Sequence, residues 1–276
     1  MRAPLDVQVI TASAPGLIAN SVLVTGEREA VLIDTPFLPP DTEAVIEAIR
    51  ASGRELTAVL ISHAHPDHYF GIDLVRDAFP DAPVYARRPV LEEMAGYKGK
   101  VLHWQEMYGG LMPATLRRPE VLEGNAVMLE GRWIDFIDLF MVESLYATAF
   151  YLPDSRTLVA CDLVYAESHH YMSDIADPDT WIAELERVRD VYEIERVIPG
   201  HGPAGGPELI DASIRWLSDW REVAKPGVRI TEIAEAMMER YPDHGLALLL
   251  WVTRGPGFGL SGAAELGVPP EVLGGG

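Results

Sequence analysis

A chain of 276 residues that is 48% hydrophobic can bury one large core or two small ones. Its 42 acidic against 22 basic residues leave a net charge of −20, which argues against a nucleic-acid backbone or an anionic membrane as the main partner. A single cysteine, Cys161, excludes an internal disulfide, and no apolar run is long enough to span a membrane, residues 246–252 being far too short.

The opening Met1-Arg2-Ala3-Pro4-Leu5-Asp6 has no apolar signal core, so a reduced, cytoplasmic protein is expected. Residues 7–10, 18–24 and 30–33 predict short strands joined by turns, and Asp34 follows the third. Asp41 or Thr42 caps a predicted helix to about Ala51, striped by Val45, Ile46 and Ile49 and ended by Gly53. Residues 57–61 predict the next strand, which runs into Ser62-His63-Ala64-His65-Pro66-Asp67-His68. Side chains alternate along a strand, so His63 and His65 leave its end on the same side. Pro66 suits the first turn of a helix, and that turn brings Asp67 and His68 round to face them. Three imidazoles and a carboxylate at this density suit Zn²⁺ or a neighbouring metal. A solvated polar loop would leave unexplained why three of the chain's eight histidines gather there.

Residues 69–79 predict a helix, 83–86 a strand and 87–95 another helix. Residues 97–113, with Trp104, Met107, Tyr108 and Met112, are less regular. Residues 121–129, 133–140, 142–152 and 157–161 predict strands of a second sheet, with Pro153-Asp154-Ser155 as a turn and Asp162 ending the last strand. Residues 178–190 form an amphipathic helix through Trp181, Leu185 and Val188. A short strand at 196–198 leads into the tight loop Pro199-Gly200-His201-Gly202-Pro203. Helices are predicted at 207–223, 228–240 and 246–252, and the Gly/Pro-rich tail from 255 is expected to be partly disordered.

The pattern H-x-H-x-D-H at His63, His65, Asp67 and His68 resembles the signature of the metallo-β-lactamase superfamily. The resemblance covers roughly residues 7–223. It implies an α/β fold, an αββα sandwich of two mixed sheets flanked by helices, with metals where strand ends converge. Residues 1–225 would form that domain and residues 226–276 a C-terminal helical extension and tail. Asp162 resembles the aspartate shared between two metals, and His201 the last histidine of the second metal, with glycines on either side allowing a sharp turn.

One position departs from the family. Where it usually has a histidine, this chain has Met141-Val142-Glu143-Ser144-Leu145, and no histidine occurs between His103 and His169. Counting back from Leu152-Pro153 puts Glu143 at the histidine's place. Either Glu143 is a ligand, or His63, His65 and Asp162 hold the first metal alone. His169 and His170 offer another compensation, as pocket lining or as outer partners of the ligands. Cys161 alternates with Asp162 and so faces the other way, as an inert core residue. His103 and His244 lack partners at ligand spacing and read as structural or exposed.

The resemblance implies two divalent ions. His63, His65, Glu143 and Asp162 would hold the first, and Asp67, His68, Asp162 and His201 the second, with a hydroxide shared between them. Asp67 would also pass a proton to the leaving group. The implied activity is hydrolysis of an ester, lactone, thioester or amide bond of a small molecule. Glu143 in place of imidazole brings such a centre to neutrality, which favours a neutral or weakly charged substrate. Zn²⁺ is the first expectation, with Mn²⁺ or Fe²⁺ as alternatives suited to oxygen ligands. Tyr69, Tyr165, His169 and residues 104–112 are candidates for the pocket wall, the last either as a substrate-covering insert or as ordinary core under a loop. A glutathione thioesterase would show a basic patch near the C-terminus, which is not found. A β-lactamase would show a signal peptide. A lactonase or broad esterase is the least contradicted. Readings of another class are a mononuclear iron oxidoreductase, such as the persulfide dioxygenases, and a metal-binding domain without catalysis. The C-terminal helices offer a surface for a homodimer or a cover for the pocket.

Overall fold

Strands β1 (Asp6–Thr11), β2 (Asn20–Thr25) and β3 (Glu29–Ile33) form an antiparallel meander. The computed structural model describes residues 4–96, 113, 116–172 and 177–251. The irregular segment at 97–112, His103 and the tail from 252 lie outside them. Helix α1 (Pro39–Ser52) starts on a proline and ends at Gly53, whose φ of 64° suits a residue without Cβ. It carries the chain across to β4 (Glu55–Ile61), which therefore runs parallel to β3. Helices α2 (Pro66–Tyr69) and α3 (Ile72–Ala78), strand β5 (Val84–Ala86), helix α4 (Arg88–Gly96) and strand β6 (Glu120–Val121) complete this half. The strands form a six-stranded sheet in the order β1-β2-β3-β4-β5-β6.

The second sheet has the order β11-β10-β9-β8-β7. Its strands β7 (Ala126–Leu129), β8 (Arg132–Phe140), β9 (Tyr146–Leu152) and β10 (Thr157–Tyr165) are antiparallel neighbours. Helix α5 (Pro178–Val191) then crosses to β11 (Arg196–His201), parallel to β10. Helices α6 (Glu208–Val223), α7 (Ile230–Arg240) and α8 (Ala247–Trp251) follow.

The two mixed sheets pack face to face with helices outside, the αββα sandwich implied by the signature. β2 shows why: Val22 and Val24 join the core between the sheets, while Leu23 joins the core under the helices. A strand buried on both faces reads as a continuous apolar run. On the other side Trp181 of α5 is fully buried, and its indole N–H donates to Leu163 O at 2.9 Å. Among the described residues no helix is long and apolar enough to cross a membrane.

Three predicted elements come out differently. The helix at 69–79 is two helices broken at Phe70-Gly71, where a Cβ on Gly71 would sit 2.5 Å from Pro36 O. The strand at 121–129 is divided between the sheets: Val121 pairs with Ala86 in the first and Ala126 with Asp135 in the second. The strand at 142–152 starts only at Tyr146. Both parallel pairs, β3/β4 and β10/β11, end at one edge of the sandwich, and the candidate ligands collect there.

Candidate metal centre

β4 releases Ser62 and His63 at that edge. Thr148 N–H donates to Ser62 O at 2.9 Å, and His63 bridges to Ala147, so β4 and β9 meet there. His65 caps α2, with Pro66 in its first turn. Residues 141–145 double back, with Met141 at φ 50° and its N–H bonded to Leu145 O at 3.0 Å. That turn stops the predicted strand and points Glu143 inward. Glu143 Oε1 lies 2.6 Å from His65 Nδ1, and Oε2 lies 3.5 Å from His63 Nε2. Asp162 lies within β10, which runs on past it, and His201 ends β11.

Asp162 stands between the other groups. Its Oδ1 is 3.1 Å from His68 Nε2, and its Oδ2 is 3.2 Å from His201 Nε2 and 3.8 Å from His63 Nε2. Asp67 Oδ2 is 3.4 Å from His201 Nε2 and 3.7 Å from His68 Nε2. Three overlapping sets have donor atoms within 4.8 Å of one another: His63, His65, Glu143 and Asp162; Asp67, His68 and His201; and Asp34, His63 and His68. Asp34 is already engaged by His68 Nδ1 and Ser62, which leaves the first two as the candidate ion sites. A tetrahedral ion with bonds of about 2.0–2.1 Å sets its ligand atoms roughly 3.3 Å apart. Most of these separations fall near that value.

Hydrogen bonds behind the rings fix their tautomers. Ser62 Oγ donates to Asp34 Oδ2 at 2.6 Å and so accepts from His63 Nδ1 at 2.8 Å. His68 Nδ1 donates to the same Asp34 oxygen at 2.9 Å, and His201 Nδ1 to Leu17 O at 2.7 Å. All three rings therefore turn an Nε2 lone pair toward the carboxylates. A lone pair so close to a carboxylate oxygen needs a proton or a metal ion between them. Burial alone would lower the affinity of His68 and His201 for protons, but Asp162 and Asp67 outweigh it and hold both above the ordinary histidine range. His63 is driven below that range by burial first and then by His68. His63 Nε2 and Asp162 Oδ1 are buried and make no hydrogen bond. An unmet buried polar atom costs about 1–3 kcal/mol, and a divalent metal ion bound here would remove that cost.

Asp34 is part of this machinery, although nothing in the sequence marks it beyond its following β3. It is 1% exposed, at φ 60°, and accepts from Ser62 N–H at 2.7 Å as well. The available signal was topological: a strand–helix–strand unit makes β3 and β4 parallel, so their carboxyl ends lie side by side. Asn20 was also missed. Its amide donates to Pro199 O and Gly202 O at 2.9 and 2.8 Å and clamps the loop that carries His201.

The three residues expected to line the pocket are all buried. Tyr69 packs in the core under the first sheet, against Phe70. His169 Nδ1 accepts from Trp216 Nε1 at 3.4 Å, and Tyr165 bonds to Asp162 behind the ligands. Cys161 lies in the core between the sheets, its thiol kept protonated by burial and then by Asp34. His244 Nδ1 donates to Ser168 O at 3.2 Å.

Gly200 is required for space. A Cβ there would overlap Asp162 Oδ1, whereas Gly202 has φ 88° and also abuts Ala166 O. Gly200→Ala is expected to displace Asp162 and weaken metal binding by about 10–100-fold, the range for losing a ligand's support. Metal titration of the purified variant checks this.

Acid pH should weaken the fold through His169 and His170. Burial first, then His244, holds His169 at about 4 against an ordinary 6.5, and the same causes push His170 well below the ordinary histidine range. The folded state favours neutral rings, while the unfolded chain takes up protons as pH falls through its ordinary value. The stability is whole above pH 6.5 and is lost as pH falls toward about 4, on the order of 3 kcal/mol for His169. The melting temperature should fall over that window, and less steeply in His170→Phe.

The family model described as the metallo-beta-lactamase superfamily matches residues 14–201. The chain is 42% identical over 174 residues to a hydroxyacylglutathione hydrolase of Alkalilimnicola ehrlichii, covering 63% of this chain and 57% of that protein. A hydroxyacylglutathione hydrolase of Albidiferax ferrireducens is 35% identical over 79 residues, 28% of this chain and 29% of that protein. Matches to proteins of Streptococcus pyogenes and Bacillus subtilis likewise span only 27% and 28% of those proteins. Among solved structures, a metallo-beta-lactamase from Pontibacter korlensis superposes with a TM-score of 0.64 at 18% identity, covering 79% of this chain and 97% of that one. At that identity the likeness concerns the fold alone.

Proposed function

Because this chain belongs to the metallo-beta-lactamase superfamily, we propose that it is a metallo-hydrolase, cleaving an ester, lactone, thioester or amide bond of a small molecule with the help of two divalent ions. The observation that carries this reading is the sorting of buried donor atoms into two sets with Asp162 between them. Two such ions, when bound, supply a Lewis acid for the scissile carbonyl and a water acidic enough to attack near neutral pH. His63, His65, Glu143 and Asp162 hold one of them, and Asp67, His68, Asp162 and His201 the other. Asp34, Ser62 and the Leu17 carbonyl keep the rings turned for that task. Asp67 is the least buried of the ligand set at 7% exposed, and in this reading its carboxyl hands a proton to the leaving atom. Glu143 adds a negative charge where an imidazole would add none, so the centre favours neutral or weakly charged substrates and accommodates Mn²⁺ or Fe²⁺ beside Zn²⁺. Among the scissile bonds, the thioester draws support from the relatives named hydroxyacylglutathione hydrolase.

The test is metal analysis of protein purified without added metal, followed by chelation and a panel of esters, lactones, thioesters and amides. Two equivalents of metal are expected, with turnover lost on chelation and restored by Zn²⁺, Mn²⁺ or Fe²⁺. A single iron with oxygen uptake on a thiol would replace this reading with an oxidoreductase. Bound metal without turnover on any substrate would reduce the protein to a binding domain.

A further inference from the structure

Tyr165 is a buried phenol that the reading above does not use. In a regular strand residues three apart point to opposite faces, so Asp162 and Tyr165 would be separated by the sheet. β10 is irregular there. Cys161 pairs with Pro199 and Tyr165 with His201, four steps on β10 against two on β11. Cys161 has φ 48°, and the extra residues are taken up in a bulge. Tyr165 Oη thereby comes round to donate to Asp162 Oδ2 at 2.7 Å.

The phenol is 3% exposed and its ring lies near-parallel to two others. It stacks on His201 at 4.8 Å and 17° and on His170 at 4.7 Å and 24°. His170 stacks on Trp216 at 4.3 Å and 13°, and Trp216 on Trp220 at 5.6 Å and 14°. Near-parallel rings therefore run from His201 to α6. His170 acts in this stack as a flat ring only, since neither of its nitrogens makes a hydrogen bond.

We propose that Tyr165 is a positioning residue for Asp162, holding the carboxylate that stands between the two ligand sets in one orientation and drawing charge from it. The proposal rests on the metal reading above. Rotation of the Asp162 carboxylate would exchange the oxygens that now face His68 and His201. A phenol locked by stacking and bonded to Oδ2 opposes that rotation. Its hydrogen bond also draws some charge from the carboxylate, an effect smaller than the orientation it imposes, so removing the O–H loosens the metal on balance. A carboxylate oxygen only accepts, so at 2.7 Å the phenol is the donor.

Tyr165→Phe keeps the ring in the stack and removes only the O–H. Stripped wild-type and variant proteins are titrated with Co²⁺, whose visible absorption reports ligand geometry, while tryptophan fluorescence reports the stack. The variant should bind Co²⁺ about 10–100-fold more weakly and show a displaced visible band, with its fluorescence unchanged. Replacing the tyrosine at position 165 with 3-fluorotyrosine makes the phenol a stronger donor and should move the band in the opposite direction. If wild type binds Co²⁺ and Tyr165→Phe matches it in affinity and spectrum, the proposal fails and the metal reading stands. If wild type takes up no Co²⁺, both fall. Should Tyr165→Phe not fold, the fluorotyrosine protein decides, and an unmoved band overturns the proposal.

Discussion

Glu143→Ala protein is expected to carry one metal equivalent fewer than wild type, and to lose kcat/KM by roughly 100-fold or more. Loss of a ligand's outer partner alone costs about 10–100-fold in affinity or activity, and loss of a ligand should exceed that. The variant removes the carboxylate 2.6 Å from His65 Nδ1 and 3.5 Å from His63 Nε2, so the set around these histidines loses an anionic donor. The set of Asp67, His68 and His201 keeps its own donors and should keep its ion. Glu143→His makes the complementary change. It restores a donor at the family's usual position and adds one unit of positive charge to the centre, which should tighten Zn²⁺ binding and move the activity profile to lower pH as the attacking water becomes more acidic. Metal analysis with kinetics on both variants checks the pair. Two tightly held equivalents in Glu143→Ala would remove Glu143 from the ligand set.

Asp34→Ala should damage both sets at once. One buried carboxylate accepts from Ser62 N–H at 2.7 Å, Ser62 O–H at 2.6 Å and His68 Nδ1–H at 2.9 Å, and Ser62 in turn orients His63. Removing it leaves three buried donors unmet and frees one ring of each set. Breaking a buried charged network of this kind costs about 3–5 kcal/mol, and both metal equivalents should weaken by about 10–100-fold. Asp34→Asn separates the two effects. Asparagine tolerates the φ of 60° found there, so the backbone is unstrained, but its amide cannot accept from every donor. It should lose less stability than alanine while still weakening both sites. Calorimetry beside metal titration measures this. Loss confined to one equivalent would mean that Asp34 serves only one of the two sets.

The sequence by itself determined what depends on short-range order. Period-two and helical patterns gave the strand and helix types through most of the chain, and adjacency alone put His63, His65, Asp67 and His68 at one strand end. Their place in the chain, set beside the family resemblance, picked out Asp162 and His201, which lie on β10 and β11, a parallel pair. The tertiary structure decided the rest. Glu143 reaches the histidines through a turn closed by Met141 N–H on Leu145 O, which strand periodicity hides. Asp34 lies beside Ser62 only because β3 and β4 pair with Ile33 opposite Leu60. Tyr165, expected at a pocket wall, meets Asp162 because β10 slips register after Cys161. Tyr69 and His169 are held away from the surface by packing partners far off in sequence or at a helix break. Local periodicity is written in neighbouring residues, whereas register slips, turn closure and strand pairing are settled by contacts between distant parts of the chain.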